Sequence, residues 1–285
     1  MPELPEVEYV SRSLSTLVVG RTIVSAELYR PKLAPATDPS QFAALMADSA
    51  IASVGRRGKH ILIGLSNDRT LIVHLRMSGT FSVLDPDLEN PKFTHAVFHF
   101  SDGDRLVFSD QRHFGMMKVV DNADLPAAKE LAKLAPEPFS NDFSTVYFRE
   151  ALSRSSRNLK EFLLDQTKVC GLGNIYASEA LFAARVDPRI VAGALSKPGS
   201  ARLYRAIREV LREAIEHNLD LPIDPANIDA NYFSGGNSSG WFVYDREKMP
   251  CVRCKSPIVR LKQGGRSTFF CRVCQRNRRN GPMTV

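Results

Sequence analysis

The sequence predicts an α+β protein in which an N-terminal β-sandwich with flanking helices precedes a helical segment and a small cysteine-rich module. Three observations carry this prediction. Apolar and polar residues alternate over roughly the first 120 residues, helical periodicity replaces the alternation from about Asp121, and four of the five cysteines lie near the C-terminus. With 285 residues and 44% hydrophobic composition, the chain is long enough to bury a core in each of two domains.

A short helix is expected near the N-terminus, before the strands. Its apolar positions recur at helical spacing: Val7, Val10, Leu14 and Leu17. Pro5 stands near its start and Gly20 lies just beyond its end, and these residue types favour those two helix boundaries.

Two β-hairpins are expected to follow this helix. Their strands are His60–Leu65 with Thr70–Leu75, and His95–Phe100 with Arg105–Ser109. The second pair flanks Ser101-Asp102-Gly103-Asp104, where the Asp-Gly dipeptide is a strong hairpin signal. Alternating hairpins of this kind favour a β-sandwich.

The second half of the chain is predicted to be helical. A proline-containing joint at Ala135–Pro138 precedes it. One long amphipathic helix is indicated by apolar residues that share a face: Leu203, Ile207, Val210, Leu211, Ala214 and Ile215.

A glycine-containing segment, Val169–Tyr176, connects two further predicted helices, Leu159–Gln166 and Ile175–Ala184. Glycines there let backbone N–H groups approach an anion at the start of the next helix, where the helix dipole also favours negative charge. A tight turn between helices explains the glycines equally well. Both interpretations stay open on local sequence.

The C-terminal cysteines are spaced for a zinc site. Two residues separate Cys251 from Cys254 and Cys271 from Cys274, and sixteen residues separate the two pairs. Thiolates at this spacing converge on one tetrahedral ion, and the stretch between the pairs can form a hairpin. Two disulfides are the alternative, which we disfavour because nothing else indicates an oxidising compartment. Cys170 is expected to be a small buried residue rather than a reactive thiol.

The positive charge of the chain is concentrated in this same module. The net charge is +7 and the pI is near 9.2. Residues 251–285 contain nine Lys or Arg and no Asp or Glu, which leaves 29 basic against 31 acidic residues elsewhere, a net charge of −2. A basic module of this kind favours nucleic acid as the partner. Because no secretory signal or long apolar stretch is present, we expect an intracellular, cytoplasmic protein without membrane contact.

The N-terminus offers a nucleophile. A small second residue normally allows Met1 to be removed, which would leave Pro2 with a free secondary amine, whereas a retained Met1 would bury that nitrogen in an amide. α-Amino groups titrate near neutrality and attack carbonyl-like carbons to form iminium ions. The adjacent Glu3 could transfer protons. The alternative is an ordinary helix start, where proline and early glutamates are common.

Several motifs occur in one order along the chain. They are Pro2–Glu8, Gly58-Lys59, His74–Gly79, Asp110–Gly115, Leu163–Gln166, Gly171–Tyr176 and the four-cysteine finger. In this order the chain resembles the formamidopyrimidine-DNA glycosylases over nearly its full length. Leu4 is more similar to this branch than to the endonuclease VIII branch, where glycine is usual at that place.

The resemblance implies three domains and a function. The domains are an N-terminal catalytic β-sandwich at 1–130, a helix-two-turn-helix domain at 131–246 and a zinc finger with one structural zinc ion at 247–285. DNA would be held in the cleft between domains. The implied activity is base excision repair of double-stranded DNA by a monomeric glycosylase and AP lyase, which removes 8-oxoguanine and formamidopyrimidines and then cuts the strand.

The resemblance also implies the residues that act. Pro2 would form a Schiff base at the sugar C1′, Glu3 would move protons, and Glu6 would shape the site. Lys59 and Arg266 would hold phosphates close to the chemistry. The other DNA-binding residues implied are Met77, Arg112, Phe114, Lys160, Asn174 and Tyr176.

Residue types suit part of this assignment. Turning a nucleotide out of the stack leaves a hole, which Met77 and Phe114 would fill as apolar wedges while Arg112 hydrogen-bonds the orphaned base. Core packing is the alternative for Met77 and Phe114, and a solvated surface charge is the alternative for any single Lys or Arg.

Two features depart from the family pattern. His113 stands where a second Arg is common, and the Gly/Ser-rich segment Asn231–Phe242, which would cover the everted base, is short. The expected lesion preference therefore rests on the resemblance of the remaining motifs. Two further hypotheses remain: a catalytically silent zinc-finger protein that binds damaged DNA, and an endonuclease VIII-like glycosylase for oxidised pyrimidines.

Overall fold

A computed structural model describes residues 1–228 and 240–276. The chain divides into two compact units, the first formed by Met1–Ala132 with Ile215–Gly236, and the second by Lys133–Ala214 with Asn237–Val285. The second unit includes both the helical segment and the finger. The three-domain division with boundaries near residues 130 and 246 stays a prediction. None of the described helices combines the length and apolarity needed to span a lipid bilayer.

The first unit begins with the expected helix, α1, which spans Leu4–Val18. Pro5 lies in its first turn, and Gly20 follows its end with a φ of 88°, a left-handed conformation that glycine adopts without strain. The apolar face of α1, including Val7, Val10 and Leu14, is buried in the core of the unit. The predicted N-terminal helix is confirmed.

Eight antiparallel strands form the body of the first unit. They are β1 (Thr22–Leu28), β2 (Ser49–Arg57), β3 (His60–Leu65), β4 (Arg69–His74), β5 (Gly79–Leu84), β6 (Thr94–Phe100), β7 (Arg105–Asp110) and β8 (Met116–Asp121). Their order across the sheet is β5-β7-β6-β1-β2-β3-β4-β8. Only two residue pairs, Thr22 with Ala50 and Ile23 with Ser49, join β1 to β2. The sheet thus has two four-stranded halves linked by a short seam.

The core lies between these two halves. One apolar cluster contains Ile23, Phe98 and Phe108 from the first half together with Ile61 and Val73 from the second. Side chains of both halves share this cluster, as the two inner faces of a β-sandwich do. The β-sandwich prediction is confirmed.

Both predicted hairpins are present. Asp68 closes the β3–β4 turn with a φ of 59°, and Gly103 closes the β6–β7 turn with a φ of 99°. Both turns therefore need left-handed backbone, which Asp and Gly tolerate better than other residues. Helix α2 (Pro39–Met46), capped by Asp38, packs against β1 and was not anticipated from the sequence.

The second unit is built on four helices: α3 (Thr145–Ser153), α4 (Leu159–Leu164), α5 (Asn174–Ala183) and α6 (Lys197–Leu219), whose last turn, from Ile215, is counted with the first unit. Ser144 and Asn158 cap α3 and α4 by accepting hydrogen bonds from backbone N–H groups three residues on. The helices α4, α5 and α6 occur where the apolar spacing predicts them. Three short 3₁₀ segments complete the described helical structure: Pro31–Leu33, Asn122–Ala127 and Ala192–Ala194.

The finger contains the expected hairpin, with strands β9 (Val259–Gln263) and β10 (Arg266–Phe270). Gly264 and Gly265 form its tip with φ values of 53° and 77°. Its root packs against Phe182 of α5 and Val243 in an apolar cluster that includes Cys251 and Cys271. The finger therefore shares a core with the helices of the second unit.

Two buried histidines make the stability of the first unit depend on pH. His60 and His74 contact each other edge to face with ring centroids 4.7 Å apart, and each is only 8% exposed. Burial lowers the pKa of His60 to about 4 and that of His74 to about 2. Between these values and the ordinary 6.5, the unfolded chain binds protons that the folded chain does not.

The free energy of unfolding should therefore decrease as the pH falls below 6.5, by roughly 1 to 2 kcal/mol per histidine by about pH 5. In the variant His74→Asn, the amide oxygen can still accept the hydrogen bond that Arg76 N donates to His74 Nδ1. Urea titrations across this pH range should show a shallower decline for the variant. Identical slopes for the two proteins would contradict the assignment.

Candidate functional site

The start of α1 holds the predicted nucleophile and both predicted carboxylates. Pro2 is buried, and Glu3 and Glu6 are 2% and 1% exposed. Glu3 is the residue before the first turn, and its backbone N–H donates to the Glu6 carboxylate while the Glu3 carboxylate accepts from the Glu6 backbone N–H. This capping box fixes the backbone directly after Pro2.

Lys59 lies in the turn between β2 and β3, and only 6% of it is exposed. The turn is attached to α1 by Arg56, whose Nε donates to Glu8 at 2.8 Å and whose Nη1 donates to Gly58 O at 3.1 Å. Although burial opposes it, hydrogen bonds from Arg56 and Arg12 hold the pKa of Glu8 below its usual value. Glu8 therefore stays ionised and keeps the Lys59 turn fixed to the helix that begins beside Pro2.

The three predicted void-filling residues are on the surface of the first unit. Met77 is 38% exposed in the connection between β4 and β5, and Phe114 is 56% exposed in the connection between β7 and β8. Arg112 is exposed beside Phe114, with its guanidinium carbon 5.3 Å from the ring centroid. Their exposure excludes the alternative that Met77 and Phe114 are core residues.

His113, the residue that departs from the family pattern, is paired. Its Nδ1 lies 2.9 Å from Nε2 of His95, and the two rings are nearly parallel. Its φ of 61° is left-handed. The imidazole that replaces an arginine is thus anchored to strand β6.

In the second unit, the glycine-containing segment ends at the first residue of α5, Asn174. Gln166 holds the segment in shape, because its side chain accepts from Gly171 N at 3.0 Å and donates to Leu172 O at 2.8 Å. Gly171 has a φ of 82°, so the tight turn is real. The turn and the anion-site interpretations are compatible, because the turn leaves the N-terminus of α5 at its end.

Lys160 and Tyr176 are not on the surface. Lys160 is fully buried, and its ammonium donates to Asn174 O at 2.7 Å and to the hydroxyl of Ser178. Tyr176 is 1% exposed and meets the ring of Trp241 edge to face. Their expected direct DNA contacts stay a prediction. In the described structure both residues pack within the second unit, and a lysine bound to a backbone carbonyl cannot be distinguished from a surface lysine by sequence.

Arg266 is exposed at the start of β10, next to the glycine tip of the finger hairpin. The tip approaches α4 so closely that a Cβ on Gly264 would lie 3.0 Å from Glu161 Oε1. A concavity of about 700 Å³ on this unit is lined by Arg157, Glu161, Leu164, Asp165, Gln166, Gly264 and Arg266. Arg266 and the Gln166 clamp of the glycine turn therefore face the same recess.

The four cysteines of the finger converge. Their sulfur atoms all lie within 4.8 Å of one another, with Cys254 and Cys271 at 3.4 Å and Cys251 and Cys274 at 3.9 Å. These separations exceed a disulfide bond of about 2.05 Å. They agree with the edges of about 3.8 Å in a tetrahedron with Zn–S bonds of about 2.3 Å. The donor set fits one structural zinc ion and not two disulfides.

Models of three known domains match the chain in order. The formamidopyrimidine-DNA glycosylase N-terminal domain matches residues 1–117, the formamidopyrimidine-DNA glycosylase H2TH domain matches 134–221, and the zinc finger found in FPG and IleRS matches 250–277. The formamidopyrimidine-DNA glycosylase of Pelotomaculum thermopropionicum is 41% identical over 276 residues, which cover 97% of this chain and 99% of the relative. The chain belongs to the formamidopyrimidine-DNA glycosylase family.

Solved structures of this glycosylase, abbreviated Fpg, agree. Lactococcus lactis Fpg bound to DNA containing N7-benzyl-Fapy-dG has a TM-score of 0.88 and 33% identity, covering 97% of this chain and all of that one. A complex of the same Fpg with DNA containing an oxidised pyrimidine has a TM-score of 0.87 at the same identity and coverage. The chain is accordingly a DNA-binding glycosylase and AP lyase of base excision repair with a structural zinc finger.

Sequence reasoning missed one residue, Glu179, that organises the second unit. Glu179 of α5 is 2% exposed, and its carboxylate accepts hydrogen bonds from the backbone N–H groups of Phe242, Val243 and Tyr244 at 2.8 to 2.9 Å. Burial raises its pKa in spite of these donors. The available signal was a lone acidic residue within an apolar helix. The expected base-covering segment, Asn231–Phe242, lies outside the described residues up to position 239.

Zinc removal should disrupt the finger and leave the first unit folded. We expect chelation to abolish DNA binding and to change the fluorescence of the single tryptophan, Trp241, which packs on Tyr176. The far-UV circular dichroism of the strands should persist, because none of the four cysteines belongs to the first unit.

The matched variants for this experiment are Cys254→Ser, which removes a ligand, and Cys170→Ala, which changes a buried cysteine away from the site. The first should reproduce the chelated state and the second should retain DNA binding. Global unfolding on chelation, seen by circular dichroism, would contradict the expectation.

Proposed function

We propose that this protein excises oxidised purines, 8-oxoguanine and formamidopyrimidines, from double-stranded DNA with the N-terminal amine of Pro2 as nucleophile. The observation that carries the proposal is the start of α1, where a buried proline is followed by two buried carboxylates that cap the helix. A chain terminus held this firmly, beside a proton donor, suits covalent catalysis. Removal of Met1 is a condition of the proposal.

The first stage replaces the damaged base by the enzyme. The nitrogen lone pair of Pro2 bonds to C1′ as the glycosidic bond breaks, and the base leaves with the bonding electrons and a proton. The ammonium formed at Pro2 then loses its N–H proton, the C1′–O4′ bond breaks, O4′ is protonated, and an iminium ion forms between Pro2 and C1′. Glu3 is the proton donor in this stage, and Glu6 keeps it in place through the capping box.

The second stage cuts the strand. The iminium ion withdraws electrons, so a proton leaves C2′ and the C3′–O bond breaks, releasing the first phosphate. Loss of a C4′ proton then breaks the C5′–O bond and releases the second phosphate. Water hydrolyses the iminium ion and restores the amine of Pro2.

Phosphate binding aligns the nucleotide for these steps. Lys59 provides a positive charge that is only 6% exposed, so its attraction for a phosphate is screened less than that of a surface lysine. Arg266 supplies an exposed guanidinium, and Asn174 supplies an amide at the start of α5. Met77, Arg112 and Phe114 fill the hole left by the everted nucleotide.

We further propose that the protein acts as a monomer on genomic DNA inside the cell. One chain supplies one terminal amine and one four-cysteine site. Sedimentation equilibrium with and without DNA measures the oligomeric state.

Borohydride trapping tests the nucleophile. Protein shown by mass spectrometry to lack Met1 should form a covalent complex with 8-oxoguanine duplex in the presence of borohydride. Pro2→Gly should lose most cleavage while still binding damaged DNA, and the control Pro5→Ala, which changes a proline within the helix, should trap normally. A silent DNA-binding protein would give no trapped complex, with Pro2→Gly indistinguishable from the unaltered protein.

Single-turnover rates on 8-oxoguanine and thymine glycol duplexes test the lesion class. Lactococcus lactis Fpg has been crystallised with oxidised-pyrimidine DNA, which makes pyrimidine specificity the alternative to compare. The ratio of the two rates decides between the two lesion classes. We expect faster excision of 8-oxoguanine. The reverse order would replace the purine assignment by the pyrimidine one.

Salt dependence tests the phosphate contacts. The affinity for DNA should fall steeply with salt concentration, and Arg266→Ala should reduce the slope of log K against log salt by about 1. Arg69→Ala, which removes a surface cation paired with Asp121, is the control and should leave the slope unchanged. An unaltered slope in Arg266→Ala would remove that residue from the DNA interface.

A further inference from the structure

Asp110, at the end of β7, is a buried carboxylate to which neither the sequence nor the proposed chemistry assigns a function. Only 1% of it is exposed. Its Oδ1 accepts from the hydroxyl of Ser78 at 2.5 Å and from Arg112 N at 3.1 Å, and its Oδ2 accepts from Gly115 N at 2.6 Å. Although burial opposes ionisation, these donors hold the pKa of Asp110 below its usual value. The group is therefore a fixed negative charge with its hydrogen bonds satisfied.

These donors belong to two separate connections of the chain. Ser78 lies in the connection after β4 that carries Met77, whereas the connection after β7 carries Arg112 and Phe114. The hydroxyl of Ser78 donates to Asp110 and also accepts from Arg112 N at 3.0 Å. Asp110, Ser78 and the Arg112 backbone thus form a closed set of three hydrogen bonds that ties the two connections together.

Close packing removes the remaining freedom. A Cβ on Gly79 would lie 2.7 Å from Phe108 Cζ and 2.6 Å from Leu75 O, and a Cβ on Gly115 would lie 2.8 Å from the same Phe108 atom. Both glycines therefore pack against one aromatic ring of β7, and a side chain at either position would collide with that ring. Beyond the carboxylate, the His113 ring is held by His95.

We propose that Asp110 is a positioning residue that presents Met77, Arg112 and Phe114 as one rigid wedge for insertion into duplex DNA. The inference rests on the proposed function, since it needs these three side chains to fill the void. Three side chains must enter the stack at the moment the nucleotide leaves, and independent connections would each lose conformational freedom on insertion. Linking them in the free protein removes that entropic cost.

The test compares substrates that do and do not require the wedge. In Asp110→Asn, one amide N–H would face the Gly115 N–H, and in Ser78→Ala the bridge is lost while the carboxylate stays. Both variants should excise 8-oxoguanine from a duplex roughly tenfold more slowly in single turnover, as the loss of about 1.4 kcal/mol of transition-state stabilisation implies. Both should be trapped by borohydride on a single-stranded oligonucleotide with an abasic site as fast as the unaltered protein. Ser78→Thr, which keeps the hydroxyl, should retain most of the duplex rate.

A double-mutant cycle gives a readout that a general loss of stability would not move. Met77→Ala and Phe114→Ala should be strongly non-additive for duplex excision in the unaltered background and close to additive in Asp110→Asn. The proposal is overturned by an undiminished duplex rate in Ser78→Ala, by equal losses on both substrates, or by unchanged coupling in Asp110→Asn. If the unaltered protein forms no trapped complex on any substrate, the proposed function fails instead.

Discussion

The start of α1, where Pro2 is followed by two buried carboxylates, is the arrangement on which the proposed chemistry depends. Chain termini ordinarily fray, and a mobile amine would lose the advantage of orientation. Here Pro2 is buried, α1 begins two residues later, and Glu3 and Glu6 cap it with their own side chains. Burying two carboxylates is costly unless they are hydrogen-bonded, and the capping box supplies those bonds.

The sequence left a choice between a nucleophile and an ordinary helix start, and that choice is not exclusive. Glu3 and Glu6 make the helix begin where it does, and the same arrangement places carboxylates beside Pro2. Arg56 forms an ion pair with Glu8 of α1 and donates a hydrogen bond to Gly58, so the same helix also positions the turn that contains Lys59. Local pattern could not decide between the interpretations, because a helix start and the proposed covalent site require the same residues.

Elements specified by local periodicity were predictable: α1, the β3–β4 and β6–β7 hairpins, α6 and the finger hairpin all occur where the spacing places them. The surroundings that sequence reasoning could not supply depend on contacts distant in the chain. Lys160 bonds to Asn174 O, and Glu179 accepts from backbone groups more than sixty residues away. Whether a polar side chain points into a core or into water is decided by tertiary packing, which no local pattern encodes. The order of the motifs supported the family resemblance, but it did not show which polar side chains are buried.

Exposed and buried charged groups suit two different physical tasks. Exposed positive charge, such as that of Arg266 in the finger and Arg112 in the first unit, attracts a polyanion but is screened within about 8 Å at physiological ionic strength. A buried charge, such as that of Lys59 or Asp110, acts over a few ångströms in a medium of low polarity. Screening by salt weakens attraction to DNA without weakening the buried groups. This protein must first search along DNA and then carry out acid–base chemistry at one sugar. Exposed charges keep the search reversible and sensitive to salt. Buried groups keep the chemistry independent of the salt concentration.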